Sequence, residues 1–131
     1  MIGLDTNVLV RYIMQDDVKQ SAKANTLIES LSADEPGFIP LIAILELVWV
    51  LESCFHLTRD QLVQALDALL HTKELVVDRA EQVMKALRVF KAGTADFADC
   101  WMERWASSAG RSRTMTFDVA AAKTAGMTLI P

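Results

Sequence analysis

Apolar positions along this chain form either short runs or helical stripes, and the two kinds alternate. The short runs predict five strands, at residues 1–4, 37–40, 75–77, 113–117 and 127–130. Apolar residues three or four apart predict seven helices, at residues 7–14, 18–31, 41–54, 58–70, 79–91, 96–108 and 119–124. Strands that alternate with helices favour parallel pairing through right-handed crossovers, so the pattern predicts an α/β fold.

Local signals support several of these boundaries. Thr58 and Gln61 form the capping-box pattern that opens a helix. Gly110 lies where a glycine C-cap would end the helix before it. In the helix at 18–31, four apolar side chains are expected to face inward: Ala22, Leu27, Ile28 and Leu31.

Two aspartates stand at the carboxyl ends of predicted strands. Asp5 and Asp118 each close an apolar run and precede a helix. Ligands of parallel sheets bind beyond this end of the strands, so both carboxylates lie where the topology predicts a site. Taken singly, each aspartate is also well explained as a helix N-cap, a role that Thr6 or Asn7 could fill beside Asp5.

Glu46 lies inside the apolar stretch at 41–51. A carboxylate buried alone is costly and normally takes up a proton. No cation lies within one helical turn of it. The stretch therefore predicts a buried acid that needs a cation, a buried ion pair with a distant arginine, or an exposed face on an otherwise buried helix.

Asp96 and Asp99 are three residues apart, so they share one helix face. Apolar residues surround Asp99, whereas Asp96 is expected in the first turn, where the helix dipole favours negative charge. Several carboxylates brought together repel one another unless a cation lies among them. The acids therefore point to a divalent metal held by oxygen ligands, and hence to phosphate chemistry.

Composition and size narrow the possibilities further. A chain of 131 residues fits a single domain, residues 1–131, and the apolar fraction of 52% indicates either a well-filled core or self-association. The net charge of −4 does not favour generic nucleic-acid binding. Six basic residues could still form local positive rims or be scattered over the surface: Arg11, Lys19, Lys23, Arg104, Arg111 and Arg113.

Cysteines and histidines show no metal-ligand spacing, which argues against a zinc site. The N-terminus has no basic stretch of the kind found in signal peptides, and Asp5 interrupts its apolar run. The longest apolar stretch is too short for a bilayer and contains Glu46. We therefore expect a cytoplasmic protein with reduced thiols and no membrane segment.

Four short motifs follow one another along the chain: Asp-Thr-Asn-Val-Leu at 5–9, Glu-Leu-Val-Trp-Val-Leu at 46–51, Ala-Asp-Phe-Ala-Asp at 95–99 and Thr-Phe-Asp at 116–118. In this order and spacing they resemble the PIN-domain nucleases and, more closely, the VapC toxins of bacterial toxin–antitoxin pairs. The resemblance covers essentially the whole chain. It implies a three-layer α/β/α sandwich around a parallel sheet and a ribonuclease that depends on Mg²⁺ or Mn²⁺.

The resemblance also implies roles for individual residues. The expected metal ligands and catalytic acids are Asp5, Glu46, Asp99 and Asp118. Asp96 is an additional acid, with Asp99 preferred over it as the direct ligand. Three polar residues are expected to orient these groups: Thr6, Asn7 and Thr116. Many relatives carry a further acid where this chain has Val119-Ala120-Ala121, so the number of metal ions stays open.

Partners follow from the same resemblance. It implies an RNA substrate, cleaved to 5′-phosphate and 3′-hydroxyl ends, and a homodimer through the helix that carries Trp49 or the one that carries Trp101. A small cognate antitoxin is expected to lie across residues 12–14 and to occlude the acids. The alternative is a PIN-like module that binds RNA or protein without cutting, although a binding module gains nothing from gathered carboxylates.

Overall fold

The computed structural model describes residues 1–111 and 113–131 in two compact units, Met1–Asp78 and Arg79–Pro131. All strand pairs among these residues are parallel, as the alternating pattern predicted. Within the same residues, no helix is both long enough and apolar enough to cross a membrane.

The first unit contains three strands and four helices: β1 (Ile2–Gly3), α1 (Thr6–Met14), α2 (Val18–Ser30), β2 (Gly37–Ile39), α3 (Leu41–Ser53), α4 (Arg59–Leu70) and β3 (Leu75–Val77). The strands form one sheet in the order β1-β2-β3, so β2 is central. Every predicted element of this unit is present. Strands β1 and β2 are shorter than their apolar runs because pairing covers only part of those runs, whereas β3 matches its run.

Helix α3 supplies much of the core of this unit. Its residues Ile44, Leu47 and Leu51 are fully buried and recur at helical spacing. Pro40 precedes the helix and offers no side-chain cap, so Asp78 takes over part of that role: its Oδ2 accepts a hydrogen bond from the Leu41 N–H at 3.3 Å. An aspartate at the end of β3 thus stabilises the start of α3.

The structure confirms the predicted start of α4 and corrects the predicted inward face of α2. The capping box of Thr58 and Gln61 is formed in both directions, as predicted. The expectation that Ala22 faces inward is wrong, because α2 buries Ser21 in its place. The Ser21 hydroxyl donates to the carbonyl of Arg11 at 3.0 Å, and this bond turns a polar position towards α1.

The second unit contains α5 (Ala80–Ala92), α6 (Phe97–Ser108), β4 (Met115–Thr116), α7 (Val119–Thr124) and β5 (Thr128–Leu129). The two strands pair in parallel, and helices α5 and α6 pack closely through an edge-to-face contact between Phe90 and Phe97, with ring centroids 5.7 Å apart. Gly110 has a positive φ of 81° and ends α6, as its position predicted.

Gly37 offers a direct test of how tightly the central strand is packed. A Cβ added to it would lie 2.8 to 3.0 Å from methyl groups of Leu4, Leu31 and Leu75. We expect Gly37→Val to lower the free energy of unfolding by about 1–3 kcal/mol, because overpacking forces the leucines apart. Urea unfolding measures this loss.

Gly3 on the neighbouring strand is the matched control, since a Cβ there would meet nothing within 4 Å. Gly3→Val should change the free energy of unfolding by no more than about 0.5 kcal/mol. Equal losses in the two variants would contradict the packing explanation.

Candidate active site

Asp5 directly follows β1 and caps helix α1. Its Oδ1 accepts a hydrogen bond from the Thr6 N–H at 2.7 Å, while the side chain stays exposed. Of the three candidates for this N-cap, the structure selects Asp5. A carboxylate has two oxygens, so the capping bond leaves the other oxygen available to a ligand.

Thr6 connects the start of α1 with Glu46 on α3. It is only 5% exposed, and its hydroxyl lies 3.5 Å from Glu46 Oε1, in position to donate a long hydrogen bond. The residue next to Asp5 therefore restrains the second acid of this unit. Asn7 is exposed one residue further along the helix.

Glu46 is not buried. It lies on the exposed face of α3, between Ile42 and Trp49, which are 64% and 66% exposed. Of the three expectations for this residue, the exposed face of an otherwise buried helix is correct. The apolar run misled because α3 is apolar almost all round, so sequence alone does not show which face lies outward.

Asp118 repeats in the second unit the arrangement of Asp5. It follows β4 and caps α7: its Oδ1 accepts hydrogen bonds from the N–H groups of Ala120 at 2.8 Å and Ala121 at 3.3 Å. The Thr116 hydroxyl accepts a bond from the Asp118 N–H at 3.0 Å. Thr116 therefore fixes the backbone of the aspartate rather than its carboxylate.

Asp96 and Asp99 stand at the start of α6. Asp96 occupies the N-cap position, one residue before the first turn where it was expected, and its side chain forms no capping bond. Asp99 lies in the first turn and is half-buried. Burial, and then the negative charges of Asp96 and Asp118, raise the pKa of the Asp99 carboxyl above its ordinary value. Asp96 and Asp118 therefore interact electrostatically with Asp99.

The chemistry of these side chains fits a hard divalent cation. Carboxylate and hydroxyl oxygens are the ligands that Mg²⁺ prefers, and mutual repulsion at Asp99 is what a bound cation would relieve. In the part of the chain that the structure describes, no three His, Cys, Asp or Glu side chains converge on one point. Mg²⁺ commonly takes only one or two carboxylates and keeps several waters, which suits a looser group of acids.

A groove between α1 and α2 was not foreseen from the sequence. It has a volume of about 430 Å³ and is lined by Asn7, Val8, Arg11, Gln20, Lys23, Ala24 and Leu27. Arg11 is one of the six basic residues that could form a positive rim or be scattered over the surface. Its guanidinium is paired with Asp16 at 3.1 Å and donates to Gln20 at 2.7 Å. The residues that line the groove come from two helices, so no single sequence motif could have predicted it.

Comparisons with known proteins agree on one family. A sequence model of the PIN domain matches residues 2–127. A VapC ribonuclease of Aquifex aeolicus (strain VF5) is 23% identical over 114 residues, which amount to 87% of this chain and 84% of that protein. All four motifs lie within residues 2–127.

The raised pKa of Asp99 predicts a pH-dependent effect on stability. Because the folded state holds this proton more tightly than the unfolded state, the ionised carboxylate lowers the free energy of unfolding above the folded pKa. We expect Asp99→Asn to stabilise the metal-free protein at neutral pH, and the gain to vanish as the pH falls below the ordinary value of 3.8. Urea unfolding in EDTA, from neutral pH to below pH 3.8, measures the difference in free energy of unfolding between Asp99→Asn and the wild-type protein.

Asp34→Asn is the control, because Asp34 is an exposed aspartate outside any helix or strand. A loss of stability in Asp99→Asn at neutral pH would show that the ionised carboxylate is favourable, and would contradict the repulsion described above.

Proposed function

Because this chain belongs to the PIN-domain family, we propose that it is a metal-dependent ribonuclease and the toxin of a toxin–antitoxin pair. The family match confirms the resemblance drawn from the four motifs, and with it the α/β fold class expected for a PIN-like sandwich. The similarity to a VapC ribonuclease supports the nuclease activity. The observation that carries the proposal is the half-buried Asp99, repelled by two further carboxylates.

We propose Asp5, Glu46, Asp99 and Asp118 as metal ligands and catalytic acids, with Asp96 as an additional acid. Bound Mg²⁺ or Mn²⁺ supplies Lewis acidity at neutral pH, which is the chemistry that phosphodiester hydrolysis needs. Since the family match runs through both units, we propose that residues 1–131 act as one domain.

Three polar residues orient these acids in the proposal. The Thr6 hydroxyl restrains Glu46, and Thr116 fixes the backbone of Asp118. Asn7 lines the groove of α1 and α2 two residues after Asp5, and its exposed amide is proposed to contact a phosphate or water near that acid.

We propose that a small antitoxin lies across residues 12–14, which are half-buried at the end of α1. The adjacent groove has apolar walls at Val8 and Leu27 and an exposed cation at Lys23. An antitoxin segment with apolar and acidic side chains would match this lining. Such a partner would act in the cytoplasm, together with the RNA that it protects.

For the homodimer, α3 is the better of the two expected surfaces. Its Ile42 and Trp49 are exposed together on one face. Trp101 on α6 is instead half-buried and stacked on Trp105 with centroids 5.5 Å apart, and the guanidinium of Arg79 lies 4.1 Å above the Trp105 ring. The Trp101 ring is thus engaged within its own unit, whereas Trp49 offers apolar surface to a second copy.

Asp5→Asn should separate catalysis from folding. Asparagine caps a helix about as well as aspartate, so α1 should persist, whereas the charge that attracts a cation is lost. We expect RNA cleavage to fall by roughly 100-fold or more, since even partners of metal ligands contribute about 10–100-fold. Cleavage of a defined RNA panel with Mg²⁺ or Mn²⁺ measures this, and circular dichroism checks the fold.

Asp34→Asn should cleave like the wild-type protein, and EDTA should abolish cleavage by both. Unchanged cleavage in Asp5→Asn, or cleavage that survives EDTA, would rule out the metal mechanism. RNA binding by the wild-type protein without cleavage in either metal would support the binding module instead.

Trp49→Glu tests the dimer. A charge in the centre of an apolar interface is costly when desolvated, so we expect the variant to sediment as a monomer where the wild-type protein is a dimer. The control is Val18→Glu, which changes an 89% exposed apolar residue on α2 and should leave the dimer intact. A dimeric Trp49→Glu, or a monomeric wild-type protein, would refute the α3 interface.

A further inference from the structure

The hydroxyl of Thr124, at the end of α7, forms three hydrogen bonds. It accepts from the N–H groups of Thr94 at 3.1 Å and Ala95 at 3.0 Å, and it donates to the carbonyl of Ala120 at 3.1 Å. A hydroxyl has one donor and two acceptor lone pairs, so its capacity is completely used. One side chain therefore joins α7 to the segment that leads into α6.

Both ends of this connection lead to carboxylates. Ala95 directly precedes Asp96, the N-cap of α6, and Asp99 lies in the first turn of the same helix. At the other end, the Ala120 carbonyl accepts the hydrogen bond of the Thr124 hydroxyl, and the Ala120 N–H donates to Asp118 Oδ1. Hydrogen bonds on either side of Ala120 thus link Asp118, through the backbone of Ala120 and the hydroxyl of Thr124, to the backbone beside Asp96.

The Thr124 side chain packs directly against Gly93, at a position where a larger residue would not fit. A Cβ at this position would lie 2.5 Å from Cβ of Thr124 and 2.8 Å from its hydroxyl oxygen. The φ of Gly93 is −130°, which any residue adopts, so its backbone conformation does not require glycine. The close approach of Thr124 does.

The acids that this path joins are the ones that repel one another. Asp96 and Asp118 both act on Asp99 through their charge, so without a cation the repulsion tends to separate the starts of α6 and α7. The three bonds of Thr124 oppose that separation.

We infer that Thr124 is a positioning residue, whose hydroxyl fixes the spacing between Asp118 and the Asp96–Asp99 end of α6 and thereby raises the affinity of these acids for a divalent cation. The inference rests on the proposed metal-dependent function. Loss of a group that orients metal ligands typically weakens metal binding by about 10–100-fold.

Three variants separate this role from a merely structural one. Thr124→Val keeps the shape of the side chain and removes the hydroxyl, whereas Thr124→Ser keeps the hydroxyl. Thr26→Val is the matched control, because the Thr26 hydroxyl also donates to a carbonyl four residues earlier, that of Ala22 at 3.0 Å, on an exposed helix surface. Of the three, only Thr124→Val removes the connection to α6.

The primary measurement is Mn²⁺ binding to the full chain, with free Mn²⁺ counted by its paramagnetic resonance signal. We expect Thr124→Val to bind about 10–100-fold more weakly, and Thr124→Ser and Thr26→Val to bind like the wild-type protein. Hydrogen exchange should show faster exchange of the Thr94 and Ala95 amides in Thr124→Val alone. Its RNA cleavage should recover as Mn²⁺ is raised, which a loss of folded protein would not permit.

Wild-type Mn²⁺ affinity in Thr124→Val, or equal weakening in Thr124→Ser, would overturn the inference and leave the proposed function intact. Absence of Mn²⁺ binding by the wild-type protein would instead refute the proposed function, and the inference with it. Should Thr124→Val not fold, Gly93→Ala replaces it, because the added Cβ displaces the hydroxyl without removing it. It too should bind Mn²⁺ more weakly, and normal binding would overturn the inference.

Discussion

Repulsion between carboxylates is the constraint around which the second unit is arranged. Asp99 is half-buried and carries a raised pKa because of burial and of the charges of Asp96 and Asp118. A structure that keeps such groups near one another must hold them by bonds that do not depend on their charge. The bonds from the Thr94 and Ala95 N–H groups to the Thr124 hydroxyl, which involve no charged group, serve that purpose.

The first unit also places an acid between a strand and a helix. Asp5 caps its helix through one oxygen, as Asp118 does, and the neighbouring Thr6 reaches across to Glu46. In both units an acid that ends a strand also starts a helix, so its position is set by elements on either side of it. The acid is thereby held in place before any ligand binds.

Periodicity was enough to predict the order of the elements, since helical stripes and short apolar runs report which side of an element is buried. It failed where a polar side chain makes a specific bond. Ser21 replaces Ala22 in the interior because its hydroxyl finds the Arg11 carbonyl, a contact between two helices that no local window contains. The exposed position of Glu46 was one of three alternatives that an apolar run could not distinguish.

The candidate acids themselves could be selected from motifs, because their types and spacing are local properties of the chain. The groups that support them could not. Asp78 stabilises α3 from 37 residues away, and Thr124 reaches backbone groups 29 and 30 residues earlier. Contacts of this kind depend on how elements pack, and a single sequence carries no trace of them.

The contact between Gly93 and Thr124 has a consequence for the evolution of this fold. With 2.5 Å between the two Cβ positions, a side chain at one site excludes the present side chain at the other. The two sites should therefore vary as a pair among related chains, a larger residue at the first accompanying a smaller one at the second. In related chains with other residues at these two positions, the N–H groups before α6 must bond to a different acceptor.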